Sequence, residues 1–387
     1  MKQLSFMFVA GDVSGDVLGG ELITALRART GSGAIFFGVG GPMMQAAGME
    51  LVEDYVREGV WGLQALFQVR KFQKRLQQLL ALAVERKPDV IVCVDFAGFN
   101  RRFASAVREH LRGAGDKDWQ PRIVQYVSPQ VWASRAGRAQ KLAAVVDLLL
   151  VIFPFEPAWY AQRVPSLRVE FAGHPMVDRY AGKLPAEKIF NNDSPLIALL
   201  AGSRAGELKK HLPILCETMR RIRAVKPGAR AVMVLADRLV PLARQIGLPE
   251  NVEVQSDLAA VLARADLALA KSGTVTLECA FFGVPSVVFY KTWWLTWEIG
   301  HRIVQVKWAA MPNLLANEEV FPEFLQPAAT AENISRAALE LMTDAGRRTT
   351  VQSKLDNIRA SLGQPGASGR AAEAILKLVN GGADGKK

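Results

Sequence analysis

The chain has 387 residues, half of them hydrophobic, and carries a formal net charge of +11. That length exceeds one ordinary core and implies two domains, while the ordinary charged fraction excludes disorder except in the last residues, 381–387. The basic balance favours a phosphate-bearing partner, but with no zinc-finger spacing or RNP-like strand nucleic acid is not expected, and three scattered cysteines (Cys93, Cys216, Cys279) fit a reduced, cytoplasmic protein with no disulfide scaffold.

Short apolar runs alternate with helical patterns along the chain. The expected strands are Leu4–Val9, Ile35–Val39, Val90–Val94, Ile123–Val127, Leu148–Ile152 and Val169–Phe171. After a break come Leu196–Leu200, Ala231–Leu235, Val252–Val254, Leu267–Ala270 and Ser286–Phe289. Many are continuous apolar runs, as strands covered on both faces are, and the alternation with helices predicts parallel sheets with right-handed crossovers. The first run is too short to span a membrane. With no other spanning segment expected, any membrane contact should be peripheral. The stretch from His174 to Pro195 breaks the rhythm with Pro175, Pro185 and Pro195 and reads as an interdomain linker. The fold class is therefore α/β, with two Rossmann-like doubly wound domains facing across a cleft. The expected division is 1–180, 181–345 and a helical tail, 346–387, that packs back on the N-terminal domain.

In such sheets ligands bind at the carboxyl ends of the strands, so motifs just after strands carry the most weight. Gly11-Asp12-Val13-Ser14-Gly15-Asp16 follows the first strand. It is not G-x-G-x-x-G, so a dinucleotide fingerprint fails. Its two carboxylates suit sugar hydroxyls better than phosphate, and an ordinary strand–helix turn reads the same way. Asp12, Ser14 and Asp16 are the candidates.

The segment Val60–Leu80 is periodic like a helix. Trp61, Ala65, Val69, Phe72, Leu76 and Leu79 form one stripe. Leu63, Leu66 and Phe67 fall on the other side, which continues into Arg70 and Lys74. Contact with another domain or subunit would explain that second face. A membrane-facing patch, apolar at one end and basic at the other, would explain it too, and Trp293, Trp294 and Trp297 would widen it.

Asp95-Phe96-Ala97-Gly98-Phe99-Asn100 places a carboxylate at a strand's carboxyl end. Asp95 can serve there as general base on a hydroxyl or simply as a turn residue. Tyr126–Trp132 offers Ser128 and Trp132 as an acceptor wall. Asp116 and Asp118 have metal-binding spacing but precede a strand, so no metal and no cofactor are expected. His174 sits at a strand end, where a structural and a functional role read alike.

Gly202-Ser203-Arg204 follows Leu196–Leu200. Small residues let a phosphate approach the backbone, and Arg204 can clamp it bidentately. Ser272, Gly273 and Thr274 can present a helix N-terminus to phosphate. Glu278, one turn on, can accept from ribose hydroxyls.

Together with Gly40-Gly41-Pro42, Pro154-Phe155-Glu156, Gly173-His174-Pro175 and Pro312-Asn313-Leu314, this ordered set resembles lipid-A-disaccharide synthase over about the first 330 residues. The resemblance implies a B-type glycosyltransferase fold. It implies an inverting transfer from UDP-2,3-diacylglucosamine to the 6-hydroxyl of 2,3-diacylglucosamine 1-phosphate, at the inner face of the cytoplasmic membrane. It casts Asp95 as the base and adds Asn313 to the nucleotide-binding residues. The chain departs from the pattern at Asp12 (usually Glu), Ala97-Gly98 (often Pro-Asp), Ser134 (usually Trp) and Ala201 (usually Pro), which leaves acyl-chain preference open. The alternatives are a peptidoglycan-type glucosaminyltransferase, a UDP-sugar epimerase, and a non-catalytic membrane-bound nucleotide module. A homodimer is compatible with the sequence but not written in it.

Overall fold

The computed structural model describes residues 3–57, 65–113, 118–184, 190–249, 251–292 and 305–381, with backbone alone at Ser32 and residues 65–69. The chain divides into two compact units, Met1–Asp178 with Leu362–Lys387, and Arg179–Ser361.

The first unit is built on seven parallel strands: β1 (Leu4–Val9), β2 (Ala34–Gly40), β3 (Glu50–Asp54), β4 (Val90–Val94), β5 (Arg122–Tyr126), β6 (Leu148–Val151) and β7 (Arg168–Phe171). Their order is β3-β2-β1-β4-β5-β6-β7. Every residue of β4 is buried, as its unbroken apolar run requires of a strand covered on both faces. The helix Ala97–Gly113 turns Phe99, Phe103, Ala104 and Val107 onto the sheet, an i, i+4, i+5, i+8 stripe.

The second unit has six parallel strands: β8 (Leu196–Leu200), β9 (Arg230–Val234), β10 (Glu253–Gln255), β11 (Leu267–Lys271), β12 (Ser286–Tyr290) and β13 (Glu323–Leu325). Their order is β10-β9-β8-β11-β12-β13. Each sheet thus reverses its strand order once, between β1 and β4 and between β8 and β11. Those are the switch points where doubly wound sheets open a crevice at their carboxyl ends.

The tail expected at 346–387 is not one piece. The helix Ala345–Ser361 buries Val351, Leu355 and Ile358 and belongs to the second unit. The helix Ala367–Asn380 packs on Val13–Thr30 in the first, through a face that includes Ala371, Ala372 and Ile375.

The helix Ala65–Arg86 packs Phe72, Leu76 and Leu79 against the first unit's core, along the expected stripe. Arg70 and Lys74 are exposed. Leu63, Asp116, Trp293, Trp294 and Trp297 lie outside the described residues, as do the side chains of Leu66 and Phe67. Among the described residues, no helix is long and apolar enough to cross a membrane.

Candidate active site

At the first switch point, the turn after β4 is held in an uncommon conformation. Asp95 and Phe96 have φ of +46° and +44°, and Val127, just past β5, has φ of +68°. Left-handed backbone costs a non-glycine residue about 1–3 kcal/mol, so the surroundings must enforce it. Two buried amides do so. Asn100 Nδ2 donates to the carbonyl of Asp95 at 2.9 Å, and Gln125 Nε2 donates to the same carbonyl at 3.0 Å and to that of Val127 at 3.1 Å. Phe96 lies so close over Gly11 that a Cβ there would stand 2.6 Å from its ring; only glycine fits. The carboxyl of Asp95 is raised above its ordinary range, first by burial and then by the negative charge of Asp12 across the switch point. It is the profile of a base that keeps affinity for a proton.

The other first-unit candidates separate. Asp12 is exposed and caps the helix Val13–Thr30, its Oδ1 accepting from Gly15 N at 2.7 Å; Ser14 is exposed beside it. Asp16 is corrected to a structural residue. It is buried, and its two oxygens accept from the backbone N–H groups of Gly41, Met43 and Met44, each at 3.0 Å. Ser128 and Trp132 are corrected as well. Both are buried; the Ser128 hydroxyl pairs with that of Tyr160 at 2.9 Å, and Trp132 Nε1 donates to Glu156 Oε1 at 3.0 Å. Neither is an open acceptor wall. His174 closes a turn, Nδ1 accepting from Met176 N at 3.1 Å.

At the second switch point lies a cavity of about 420 Å³, lined by Gly202, Ser203, Gly273, Thr274 and Glu278 of the expected nucleotide residues. Gly202 has φ of +111°, and a Cβ there would meet the Glu207 carboxylate at 2.4 Å. Glu278 Oε1 accepts the Tyr180 hydroxyl at 2.5 Å. Three charged lining residues were not among those candidates: Glu207, Arg238 and Lys271. Lys271 Nζ stands 3.1 Å from Glu207 Oε1, and Glu207 Oε2 accepts from Ser203 N at 3.2 Å. The sequence signal for Lys271 was its place directly after an apolar strand.

Three expected nucleotide contacts lie off this cavity. The Arg204 side chain is 84 % exposed and 3.9 Å from Glu207. Ser272 Oγ donates to the carbonyl of Ala309 at 2.9 Å. Asn313 is corrected outright. It is fully buried, with Nδ2 donating to Phe321 O and Glu323 Oε1 and Oδ1 accepting from Val320 N and Phe321 N. Its amide shapes the loop that leads to β13 and has no capacity left for a ligand. His211, with no local signal in its helix, stands with Nδ1 2.8 Å from the carbonyl of Ala201 while its Nε2 accepts from Lys291 N at 3.3 Å, and so ties down the loop before Gly202.

Comparison with known proteins agrees with this geometry. Residues 6–378 match the family described as lipid-A-disaccharide synthetase. The chain is 34 % identical to the lipid-A-disaccharide synthase of Geobacter metallireducens, covering 96 % of this chain and 97 % of that one. It is 35 % identical to that of Pseudomonas entomophila, with 98 % and 99 % covered. Similar solved structures include the UDP-GlcNAc 2-epimerase of Neisseria meningitidis bound to UDP-GlcNAc, with TM-score 0.62, 14 % identity and 97 % and 100 % coverage. Another is the MurG of Acinetobacter baumannii, with TM-score 0.57, 14 % identity and 97 % and 99 % coverage. At that identity they establish the fold alone, which is that of B-type glycosyltransferases and related epimerases. With a family match over nearly its whole length and relatives at 34 % and 35 % identity covered almost end to end, the chain belongs to the lipid-A-disaccharide synthase family and is a glycosyltransferase of lipid A biosynthesis.

Proposed function

We propose that the chain joins UDP-2,3-diacylglucosamine to 2,3-diacylglucosamine 1-phosphate, with Asp95 as general base and the second-unit cavity as the UDP site. The acceptor's 6-hydroxyl gives its proton to the Asp95 carboxylate as its oxygen bonds to the donor's anomeric carbon. The bond from that carbon to the diphosphate breaks, UDP leaves with the electron pair, and the anomeric centre inverts. Lys271 and Arg238, with the backbone N–H groups around Gly202 and Gly273, would stabilise the departing charge without a metal. The observation that carries the reading is the strained, doubly pinned Asp95 turn with its raised carboxyl. A related Staphylococcus aureus structure is described as a UDP complex, which supports the nucleotide assignment.

Peripheral attachment to the inner face of the cytoplasmic membrane belongs to the same proposal, since both substrates carry acyl chains. The exposed Arg70 and Lys74 on one helix suit anionic lipid, each basic residue adding about 1 kcal/mol near the surface. The deciding experiment incubates the protein with both acylated substrates and detects the disaccharide 1-phosphate by mass. Release of UDP without disaccharide, or transfer to a non-acylated acceptor alone, would overturn the assignment.

A further inference from the structure

Several arginines of this chain have a carboxylate beside them. Arg86 pairs with Glu50, Arg108 with Asp147, Arg168 with Glu170, Arg264 with Glu253 and Arg347 with Glu340. Arg101, Arg102, Arg135 and Arg138 do not; among the described residues none of the four is in an ion pair with a carboxylate. Arg101 and Arg102 lie one turn inside the helix Ala97–Gly113, directly behind the Asp95 turn, with no acidic residue in that helix's first turn. Arg135 ends the helix Val131–Ser134, and Arg138 opens the helix Arg138–Ala143. The two pairs follow β4 and β5, which are neighbours in the sheet with Val94 opposite Tyr126.

The four come together. Arg138 is held below its ordinary range by burial and by the positive charges of Arg135, Arg101 and Arg102. Arg102 is seated over the Phe72 ring at 5.0 Å. Like charges gathered around Arg138, with no ion-paired carboxylate among the described residues, are an unfavourable resting arrangement, and an anion that fills it would relieve the repulsion. The Asp95 carboxylate is not that anion: burial and Asp12 raise it, with no arginine holding it down. The cluster follows the same two neighbouring strands as the Asp95 turn, and among the described residues no ion pair joins it to Asp95.

We propose that Arg101, Arg102, Arg135 and Arg138 form a phosphomonoester site that takes the 1-phosphate of the acceptor sugar. A phosphomonoester carries nearly two charges and three acceptor oxygens, the pattern several planar guanidinium forks recognise. On the acceptor, the anomeric phosphate and the carbon that bears the reacting 6-hydroxymethyl group flank the ring oxygen, which matches an arginine cluster near the base but not paired to it. The inference rests on the acceptor named under Proposed function. Membrane lipid headgroups offer the same chemistry, so the test separates the two sources.

The experiment compares the phosphorylated acceptor with its 1-hydroxyl counterpart, both dispersed in detergent, in the wild type and in two variants. One variant is Arg135→Gln with Arg138→Gln; the other is Arg101→Gln with Arg102→Gln. Charge-assisted hydrogen bonds predict that the wild type favours the phosphorylated acceptor by roughly tenfold to a hundredfold or more in kcat/KM. Both variants should lose most of that preference while UDP affinity stays as it was. A preference kept by both variants, or absent from a wild type that makes the disaccharide, would overturn the inference. So would variants that lose binding to vesicles of phosphatidylglycerol and phosphatidylcholine yet keep the acceptor preference, because the cluster would then read lipid headgroups. A wild type that makes no disaccharide from the phosphorylated acceptor refutes the proposed function itself, a result distinct from loss of the preference.

Discussion

The side-chain amide of Gln125 donates to the main-chain carbonyl of Asp95 at 3.0 Å, joining β5 to the left-handed turn that carries this carboxylate. Gln125 is almost fully buried and serves Val127 as well, so it is a positioning residue for both strand ends. Gln125→Leu should cost about 1–3 kcal/mol of stability through unsatisfied carbonyls. It should lower kcat roughly tenfold to a hundredfold, since small displacements of a reacting group have that effect. UDP affinity should not change. Steady-state kinetics beside calorimetry check this, and an unaltered kcat would mean that the turn holds without its pin.

Asp95→Asn should reduce turnover by roughly a hundredfold or more with UDP still bound. The wild-type acid limb should lie above the ordinary carboxylate range, because Asp95 is raised and only its ionised form takes a proton. Asp12→Asn offers a cleaner test. Asparagine keeps the helix cap but removes the charge that helps raise Asp95, so the limb should move to lower pH. A pH profile of kcat/KM that does not move would exclude Asp12 from tuning the base.

In the second unit, Lys271 and Glu207 form the pair to perturb. Although burial opposes it, Lys271 and then Arg204 hold the Glu207 carboxyl below its ordinary range. Lys271→Met should weaken UDP about tenfold or more by removing one of the cations that line the cavity. Glu207→Gln releases both Lys271 and the Ser203 amide to an incoming phosphate, so UDP should bind a few-fold tighter. Titration calorimetry on the two variants decides; weaker binding in Glu207→Gln would show that the carboxylate's task is to aim the lysine.

The apolar strands were legible because burial on both faces writes itself as an unbroken run, as in Val90–Val94. The two strands that escaped, Glu50–Asp54 and Glu323–Leu325, lie at sheet edges, where solvent admits acidic residues and the run is lost. The candidate residues were found by their place after strands, but their uses depend on distant partners. Asp16 is consumed by the backbone of 41–44, Trp132 by Glu156 and Asn313 by the loop at 320–323. No local pattern separates a polar side chain kept free for a ligand from one that satisfies a buried neighbour.

Glu156 shows the energetic side of that point. Burial pushes its carboxyl up to about 7, although Phe153 N, Trp132 Nε1 and Ser128 donate to it. Between about pH 4.5 and 7 the unfolded chain has released a proton that the folded chain keeps. The stabilisation from neutral Glu156 is therefore complete below the unfolded value and is lost as pH rises through the folded one. A shift of this size is worth about 3 kcal/mol. Glu156→Gln removes the titration, but its amide NH₂ must face one of the two N–H donors, so the variant should be less stable than the wild type at pH 5. Because only the wild type loses stability from this group toward pH 8, the gap between the two proteins should shrink by up to that amount. Urea midpoints at pH 5 and pH 8 measure it. A gap independent of pH would place the Glu156 titration outside this range and leave the carboxylate as a fixed anchor for Trp132.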